Sequence, residues 1–135
     1  MFKGVDHVVI AVKDLEASIA GFEKVYGIGA TDLGEPAGAG FRNAYFRFGG
    51  PGSGGYVELV APTNENGPVG KRVAASGEGV YLIALTVDNL EQTVADLREK
   101  GVRLVGDPGP GNPIKGQIFI HPSAAGGVLT QLVQR

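Results

Sequence analysis

An internal repeat is the feature that most constrains the fold of this 135-residue chain. The segment GVDHVVIAVKDLE at residues 4–16 returns 75 residues later as GVYLIALTVDNLE at residues 79–91. Each copy alternates like a strand and then passes into a helical pattern. A second pair, ELV at residues 58–60 and QLV at residues 131–133, follows a Gly-Gly turn in both places. Such repetition predicts two similar supersecondary units that bury their faces against each other.

Residues 1–62 form the first predicted module, with the order β-α-β-β-β. Asp14 is the expected N-cap of a helix that runs to about Tyr26, because apolar residues recur at helical spacing until two glycines end the pattern. A glycine-rich turn is expected at residues 49–55. The predicted strands lie at residues 2–12, 31–33, 41–48 and 56–60.

Residues 79–135 form the second predicted module, reached through a polar connection with a short helix near residues 69–75. Its helix is expected from Leu90 to about Lys100, capped by Asn89 or Asp88. The predicted strands lie at residues 80–87, 102–105, 117–121 and 128–133. The sequence therefore predicts an α+β fold, with one domain over residues 1–135 built from two modules whose curved sheets enclose a cleft.

Composition excludes several classes of function. With a net charge of −2, the chain lacks the excess of positive charge that nucleic-acid binding requires. The absence of cysteine excludes a thiolate metal site and a cysteine nucleophile. No apolar run approaches the ~20 residues of a membrane helix, and charged residues interrupt the N-terminal stretch that a signal peptide would need. We therefore expect a cytoplasmic protein whose partner is a small molecule rather than nucleic acid or a membrane.

Two side chains on the predicted strands are candidates for chemistry. Strand alternation places His7 on one face with Val9 and Ala11, where a single histidine is either a satisfied core residue or a ligand. Glu58 either faces solvent or lines the cleft. If Glu58 lines the cleft and no metal ion lies beside it, burial would raise the pKa of its carboxyl group. A raised pKa would suit Glu58 to act as a general base near neutral pH.

Other polar residues have both a structural and a functional interpretation. Arg42 and Arg47, on the long predicted strand, are either solvated or hold a carboxylate or phosphate group of a substrate. Tyr56 shares a strand face with Glu58 and would line the same cleft. His121, followed by a proline, is better suited to positioning a turn than to catalysis.

Four segments of the chain carry a family resemblance: VDHVVIAVKDLE at residues 5–16, VELVAP at residues 57–62, LREKGVRL at residues 97–104, and HPS at residues 121–123 with GGVL at residues 126–129. They resemble the vicinal-oxygen-chelate (glyoxalase/bleomycin-resistance) superfamily, and within it they look most like methylmalonyl-CoA epimerases. The resemblance covers nearly the whole chain and implies paired β-α-β-β-β modules around a U-shaped cleft. It also implies a homodimer.

The resemblance implies a divalent metal that chelates substrate oxygens and stabilises an enolate while a proton is moved. Its four ligand positions correspond here to His7, Glu58, Leu82 and Gln131. The epimerases have histidine at the Leu82 position and glutamate at the Gln131 position, whereas leucine cannot bind a metal and glutamine offers only a neutral oxygen. The implied ligands are His7, Glu58 and Gln131, and the implied cofactor is one divalent ion (Zn, Co, Ni, Mn or Mg) or none.

Two functions follow as hypotheses from the resemblance. One is a proton-shuttling isomerase or lyase of the methylmalonyl-CoA epimerase or glyoxalase type, acting on a small carbonyl or acyl-CoA-like substrate with Glu58 as catalytic residue. The glutamate base of the epimerases falls near Gly38, with Glu35 three residues away. The other is a metal-free small-molecule binding protein of the bleomycin-resistance type. In both, the expected substrate-binding residues are Tyr56, Leu82, Arg42 and Arg47.

Overall fold

A computed structural model describes residues 1–50 and 54–135, and it confirms the predicted α+β class. The predicted turn at residues 49–55 lies partly outside the described residues. The helices are α1 (Leu15–Tyr26), α2 (Pro68–Ser76) and α3 (Leu90–Glu99), with a 3-10 turn at Pro122–Ala124. The strands are β1 (Phe2–Ala11), β2 (Thr31–Gly34), β3 (Phe41–Phe46), β4 (Tyr56–Pro62), β5 (Gly79–Val87), β6 (Leu104–Val105), β7 (Ile118–Ile120) and β8 (Leu129–Gln134).

The chain divides into two compact units. One consists of His7–Tyr81, and the other of Met1–Asp6 together with Leu82–Arg135. These bounds differ from those of the modules expected at residues 1–62 and 79–135, which remain a prediction. Within the described residues, no helix combines the length and the apolar character that crossing a bilayer requires.

The His7–Tyr81 unit holds strands in the order β2-β3-β4-β1, and β1 runs parallel to β4. Helix α1 packs on one face of these strands and buries Leu15 against Ala44, Phe46 and Leu59. Burial of such side chains is the main source of folding free energy. Because side chains alternate along a strand, the odd-numbered residues of β1 and β3 lie on the other face.

The second unit holds strands in the order β5-β8-β7-β6, and here β5 runs parallel to β8. Helix α3 covers a core that includes Val94, Ile118 and Leu132. The guanidinium of Arg98 donates two hydrogen bonds to Asp107 and so holds the loop after β6. These bonds, together with one from the Gly109 amide, lower the pKa of Asp107 to about 2.

Some element ends differ from the predictions for local reasons. The strand expected from residue 102 begins only at Leu104, because the Val102 amide donates to the Leu97 carbonyl. With Gly101 at φ 73°, this contact closes the end of α3 in a Schellman motif. β3 ends at Phe46 instead of residue 48, since the chain turns where the Gly50 amide donates to the Arg47 carbonyl.

The two predicted helix caps are confirmed and stand at repeat-related positions. Asp14 accepts a hydrogen bond from the Ala17 amide, and Asn89 accepts one from the Gln92 amide, each at 3.0 Å.

Asp14→Ala and Asn89→Ala should each lower the free energy of unfolding by about 1 kcal/mol, because an amide of the first turn loses its acceptor. Urea denaturation measures this loss. Asp14→Asn is the matched control and should retain most of the stability; equal loss in both variants would contradict the capping role.

Candidate functional site

Six side chains lie close together on the face of the strands of the His7–Tyr81 unit that α1 does not cover. The strands place His7 opposite Tyr56 and Tyr45 opposite Glu58, so alternation brings these four residues to one face. Asn43, two residues before Tyr45, joins them, and Arg47 follows at the end of β3. We call these six residues, His7, Asn43, Tyr45, Arg47, Tyr56 and Glu58, the Glu58 cluster.

Glu58 is the buried acid of this cluster. Its side chain lies in the sheet beside buried Val9, and only 9% of the residue is exposed, so the solvent-facing alternative is wrong. One carboxylate oxygen, Oε2, accepts a hydrogen bond from Asn43 Nδ2 at 3.0 Å. The other, Oε1, lies 3.8 Å from His7 Nε2, within the range of a charge interaction but beyond a direct hydrogen bond.

The pKa of Glu58 is raised above its ordinary value. Burial is the main cause, because loss of water disfavours the charged carboxylate; the Asn43 hydrogen bond and the nearby His7 act in the opposite direction. The direction is the one expected from the sequence for a Glu58 carboxylate buried in a cleft without a metal ion beside it. A carboxyl group with a raised pKa is better matched to accepting a proton near neutral pH.

Aromatic rings form a wall beside the carboxylate. The His7 ring stacks on Tyr56 with centroids 4.5 Å apart and planes within 6°, and Tyr45 meets Tyr56 edge-on at 5.2 Å. The Arg47 guanidinium lies 4.6 Å from the Tyr56 centroid and 5.0 Å from that of Tyr45, which is a cation–π geometry. Asp32 accepts a hydrogen bond from Arg47 Nε at 3.1 Å and holds it there. The wall therefore ends in a positive charge.

Tyr45 stays protonated at neutral pH. Burial is the main cause of the raised pKa of its phenol, and the charge of Glu58 adds to the effect. Its hydroxyl accepts a hydrogen bond from Asn43 Nδ2 at 3.3 Å, so the Asn43 amide is shared between Tyr45 and Glu58. Sequence reasoning missed both Asn43 and Tyr45. Asn43, Tyr45 and Arg47 are spaced two residues apart, so strand alternation alone would have placed Asn43 and Tyr45 on the same face as Arg47.

Arg42 lies on the opposite face of β3. It forms an ion pair with Glu16 of α1, and this partner, with added attraction from Glu35 and Asp14, raises the pKa of Arg42. The structure therefore separates Arg42 from Arg47, although both were expected to bind substrate. The substrate-binding role of Arg42 remains a prediction.

Leu82 and Gln131 belong to the second unit. In that unit Leu82 pairs with Leu129 and Gln131 with Ala84, so the two residues share a strand face. Leu82 is buried and Gln131 is partly buried. The metal-binding role of Gln131 and the substrate-binding role of Leu82 remain predictions.

The metal site that the resemblance implies needs more donors than the Glu58 cluster supplies. His7 and Glu58 supply two donors, and elsewhere in residues 1–50 and 54–135 no third His, Cys, Asp or Glu joins them in a group that could hold an ion. Transition-metal sites in proteins use three or four such ligands. The donors present thus do not fit the four-ligand metal site that the resemblance implies.

His121 positions a turn, as the sequence predicted. Its Nδ1 accepts a hydrogen bond from the Ser123 amide at 3.0 Å and lies 2.8 Å from the Ser123 hydroxyl. The contact caps the 3-10 turn at Pro122–Ala124.

Comparison with known proteins establishes the family. The sequence profile of the Glyoxalase/Bleomycin resistance protein/Dioxygenase superfamily matches residues 6–120. The chain therefore belongs to this superfamily, and the predicted resemblance is confirmed. It is also 32% identical over 134 residues to the mitochondrial methylmalonyl-CoA epimerase of Bos taurus, covering 96% of this chain and 73% of that protein.

Solved structures show the same likeness. Methylmalonyl-CoA epimerase from Mycobacterium tuberculosis is similar with a TM-score of 0.81 and 34% identity, over 98% of this chain and 88% of that one. A variant of the Streptomyces coelicolor methylmalonyl-CoA epimerase, in complex with 2-nitronate-propionyl-CoA, has a TM-score of 0.82 and 34% identity, over 99% and 98% of the two chains.

The raised pKa of Glu58 predicts an unusual effect on stability. The folded protein holds the Glu58 proton more tightly than the unfolded chain does, so ionisation opposes folding. This opposition is absent well below the ordinary pKa of 4.5 and develops as the pH rises through the folded-state pKa. Glu58→Gln, which keeps the shape and removes the charge, should therefore raise the melting temperature at about pH 7 but not at about pH 4.

Thermal unfolding at both pH values checks this. Glu16→Gln is the matched control, because the hydrogen bond from Arg42 lowers the pKa of that exposed carboxylate, and its removal should not raise the melting temperature. Equal effects of Glu58→Gln at the two pH values would contradict the prediction.

Proposed function

We propose that this protein is an enzyme that removes a proton from the carbon next to the carbonyl group of a small acyl-CoA-like substrate. The observation that carries the proposal is the buried Glu58 carboxylate, whose pKa burial raises. Glu58 acts as the general base in this proposal. The acyl-CoA class is supported by the epimerase relatives, one of which is solved with 2-nitronate-propionyl-CoA.

The Glu58 cluster has groups suited to each part of this task. Asn43 holds one oxygen of the base, which fixes the direction of the other. The protonated Tyr45 hydroxyl is a hydrogen-bond donor that could stabilise negative charge developing on an enolate oxygen. Arg47, fixed by Asp32 against two tyrosine rings, offers a positive charge for a carboxylate or phosphate of the substrate.

Solvent deuterium uptake tests the proposed base. In D₂O the protein should catalyse deuterium incorporation at the α-carbon of propionyl-CoA or methylmalonyl-CoA, measured by mass spectrometry. Glu58→Gln should slow this uptake by about 10²–10⁴-fold, the usual contribution of a positioned general base. Glu16→Gln removes a carboxylate from the other side of the sheet and should leave the rate unchanged. Uptake no faster than in buffer would overturn the proposal.

A second candidate is a metal-free binding protein of the bleomycin-resistance type. The aromatic wall favours it, because stacked rings with a cationic end can bind a flat ligand without any reaction. A thermal-shift screen distinguishes the two functions. Stabilisation by flat aromatic ligands without deuterium uptake would support binding alone.

The ligand positions inferred from the resemblance have their own test. If the positions inferred from the resemblance are right, Leu82→His combined with Gln131→Glu restores two ligands that the epimerases carry. The double variant should then bind Co²⁺ or Zn²⁺ at least tenfold more tightly than the unmodified protein, as measured by titration calorimetry. The control adds Glu58→Gln, which should weaken the gained affinity. Unchanged affinity in the double variant would show that the inferred positions are wrong.

A further inference from the structure

The backbone of Asp32, in β2, has an uncommon conformation. Its φ is 54°, and across residues 1–50 and 54–135 it is the one residue other than glycine with a positive φ. Residues with a side chain rarely occupy the left-handed region, although aspartate does so more readily than most. Where the surrounding structure fixes such a conformation, the residue often serves a functional site. The contacts of Asp32 indicate which site this is.

A β-bulge accompanies the conformation. Where β2 pairs with β3, one residue of β2 has no counterpart between the pairs that Thr31 and Gly34 form. Such a bulge redirects the side chains next to it. Here the Asp32 carboxylate reaches Arg47, because its Oδ2 accepts a hydrogen bond from Arg47 Nε at 3.1 Å. The same oxygen accepts one from the Thr31 hydroxyl at 3.0 Å, which fixes the carboxylate itself.

The outer end of the Arg47 guanidinium remains available to a ligand. Nε is bonded to Asp32, and in the part of the chain that the structure describes Nη1 and Nη2 form no hydrogen bond with the protein. The guanidinium lies over the rings of Tyr45 and Tyr56, and the side chain is 27% exposed, so a ligand on the aromatic wall can reach it. Two N–H donors at one end of a guanidinium match the two oxygens of a carboxylate, or two of a phosphate.

An arginine that is held in place before its ligand arrives binds more tightly than a mobile one. A mobile side chain loses rotational freedom on binding, and that loss opposes affinity. We propose that Asp32 is a positioning residue, which holds Arg47 so that its two terminal nitrogens bind an oxyanion of the substrate. The inference rests on one part of the proposed function, that an acyl-CoA-like substrate binds at the Glu58 cluster.

An acyl-CoA-like substrate offers this oxyanion in two places, a carboxylate on the acyl part and the phosphates of CoA. Three thioesters distinguish them. Methylmalonyl-CoA has both kinds of group, propionyl-CoA has the phosphates alone, and propionyl-pantetheine has neither. Titration calorimetry with the full-length protein and its variants measures the Kd of each thioester.

Variants of Asp32 and Arg47 separate the hydrogen bond from the backbone conformation. Asp32→Gly adopts a positive φ freely but lacks the carboxylate, and it should weaken the binding of an oxyanion-bearing thioester by about two- to tenfold, the usual effect of ordering one long side chain. Asp32→Asn keeps a hydrogen-bond acceptor and should lose less. Arg47→Met removes the donors and should cost about tenfold or more. Glu16→Gln breaks the Arg42 ion pair on the other face of the sheet and should leave every Kd unchanged.

Reaction rates separate positioning from catalysis. In the deuterium-uptake assay, Asp32→Gly should raise KM and leave the rate at saturating substrate nearly unchanged, whereas Glu58→Gln should lower that rate. A role for Asp32 in the fold alone would not depend on which thioester is bound.

The outcomes are distinguishable. Weakening confined to methylmalonyl-CoA would support binding of the acyl carboxylate, and equal weakening of the two CoA thioesters, with propionyl-pantetheine unchanged, would support binding of a phosphate. Weakening of all three thioesters or of none, or an equal loss in Asp32→Asn and Asp32→Gly, would overturn the inference, and deuterium uptake by the unmodified protein would then leave the proposed function standing. Binding that depends on Asp32 without any deuterium uptake would overturn the proposed base and support the positioning role.

Discussion

The buried carboxylate of Glu58 is the constraint on which the rest of the site depends. An acid removed from water is tolerated when hydrogen bonds or opposite charges accompany it, and otherwise it binds a proton. Here a neutral amide, from Asn43, supplies one hydrogen bond, and His7 lies near the other oxygen. This environment keeps the carboxylate oriented without strongly stabilising its charge. The proposed role of Glu58 as a general base needs this balance, because a carboxylate whose charge is fully paired is a weak base.

The two faces of the sheet in the His7–Tyr81 unit have different roles, one in packing and the other in carrying the candidate site. The face under α1 packs Ala44, Phe46 and Leu59 with the helix and supplies the apolar burial that holds the unit together. The other face carries the Glu58 cluster. Because β1 and β4 are parallel and in register, residues far apart in sequence meet there without any loop to position them. Rigid strands are well suited to holding catalytic groups to the small tolerances that reactions need.

Sequence reasoning recovered the fold better than the site, for identifiable reasons. Alternation, helix caps and the repeat can all be read directly from the sequence, so the order of elements and the capping role of Asp14 were predicted correctly. The prediction for Arg42 and Arg47 placed both in one site, although residues five apart on a regular strand point to opposite faces. Asn43 was missed because its importance depends on the pairing of β3 with β4. That register is set by long-range contacts which a single sequence does not display.

The aromatic wall also makes the site visible to spectroscopy. The chain has no tryptophan and only four tyrosines, and two of them, Tyr45 and Tyr56, belong to the Glu58 cluster. Rings held in fixed, mutually tilted orientations beside a charged group give asymmetric near-ultraviolet absorption, which loosely held rings do not. About half of the tyrosine chromophores therefore report directly on the proposed binding surface. Near-ultraviolet circular dichroism could thus follow ligand entry in the unmodified protein, without a label that would disturb the stacked rings.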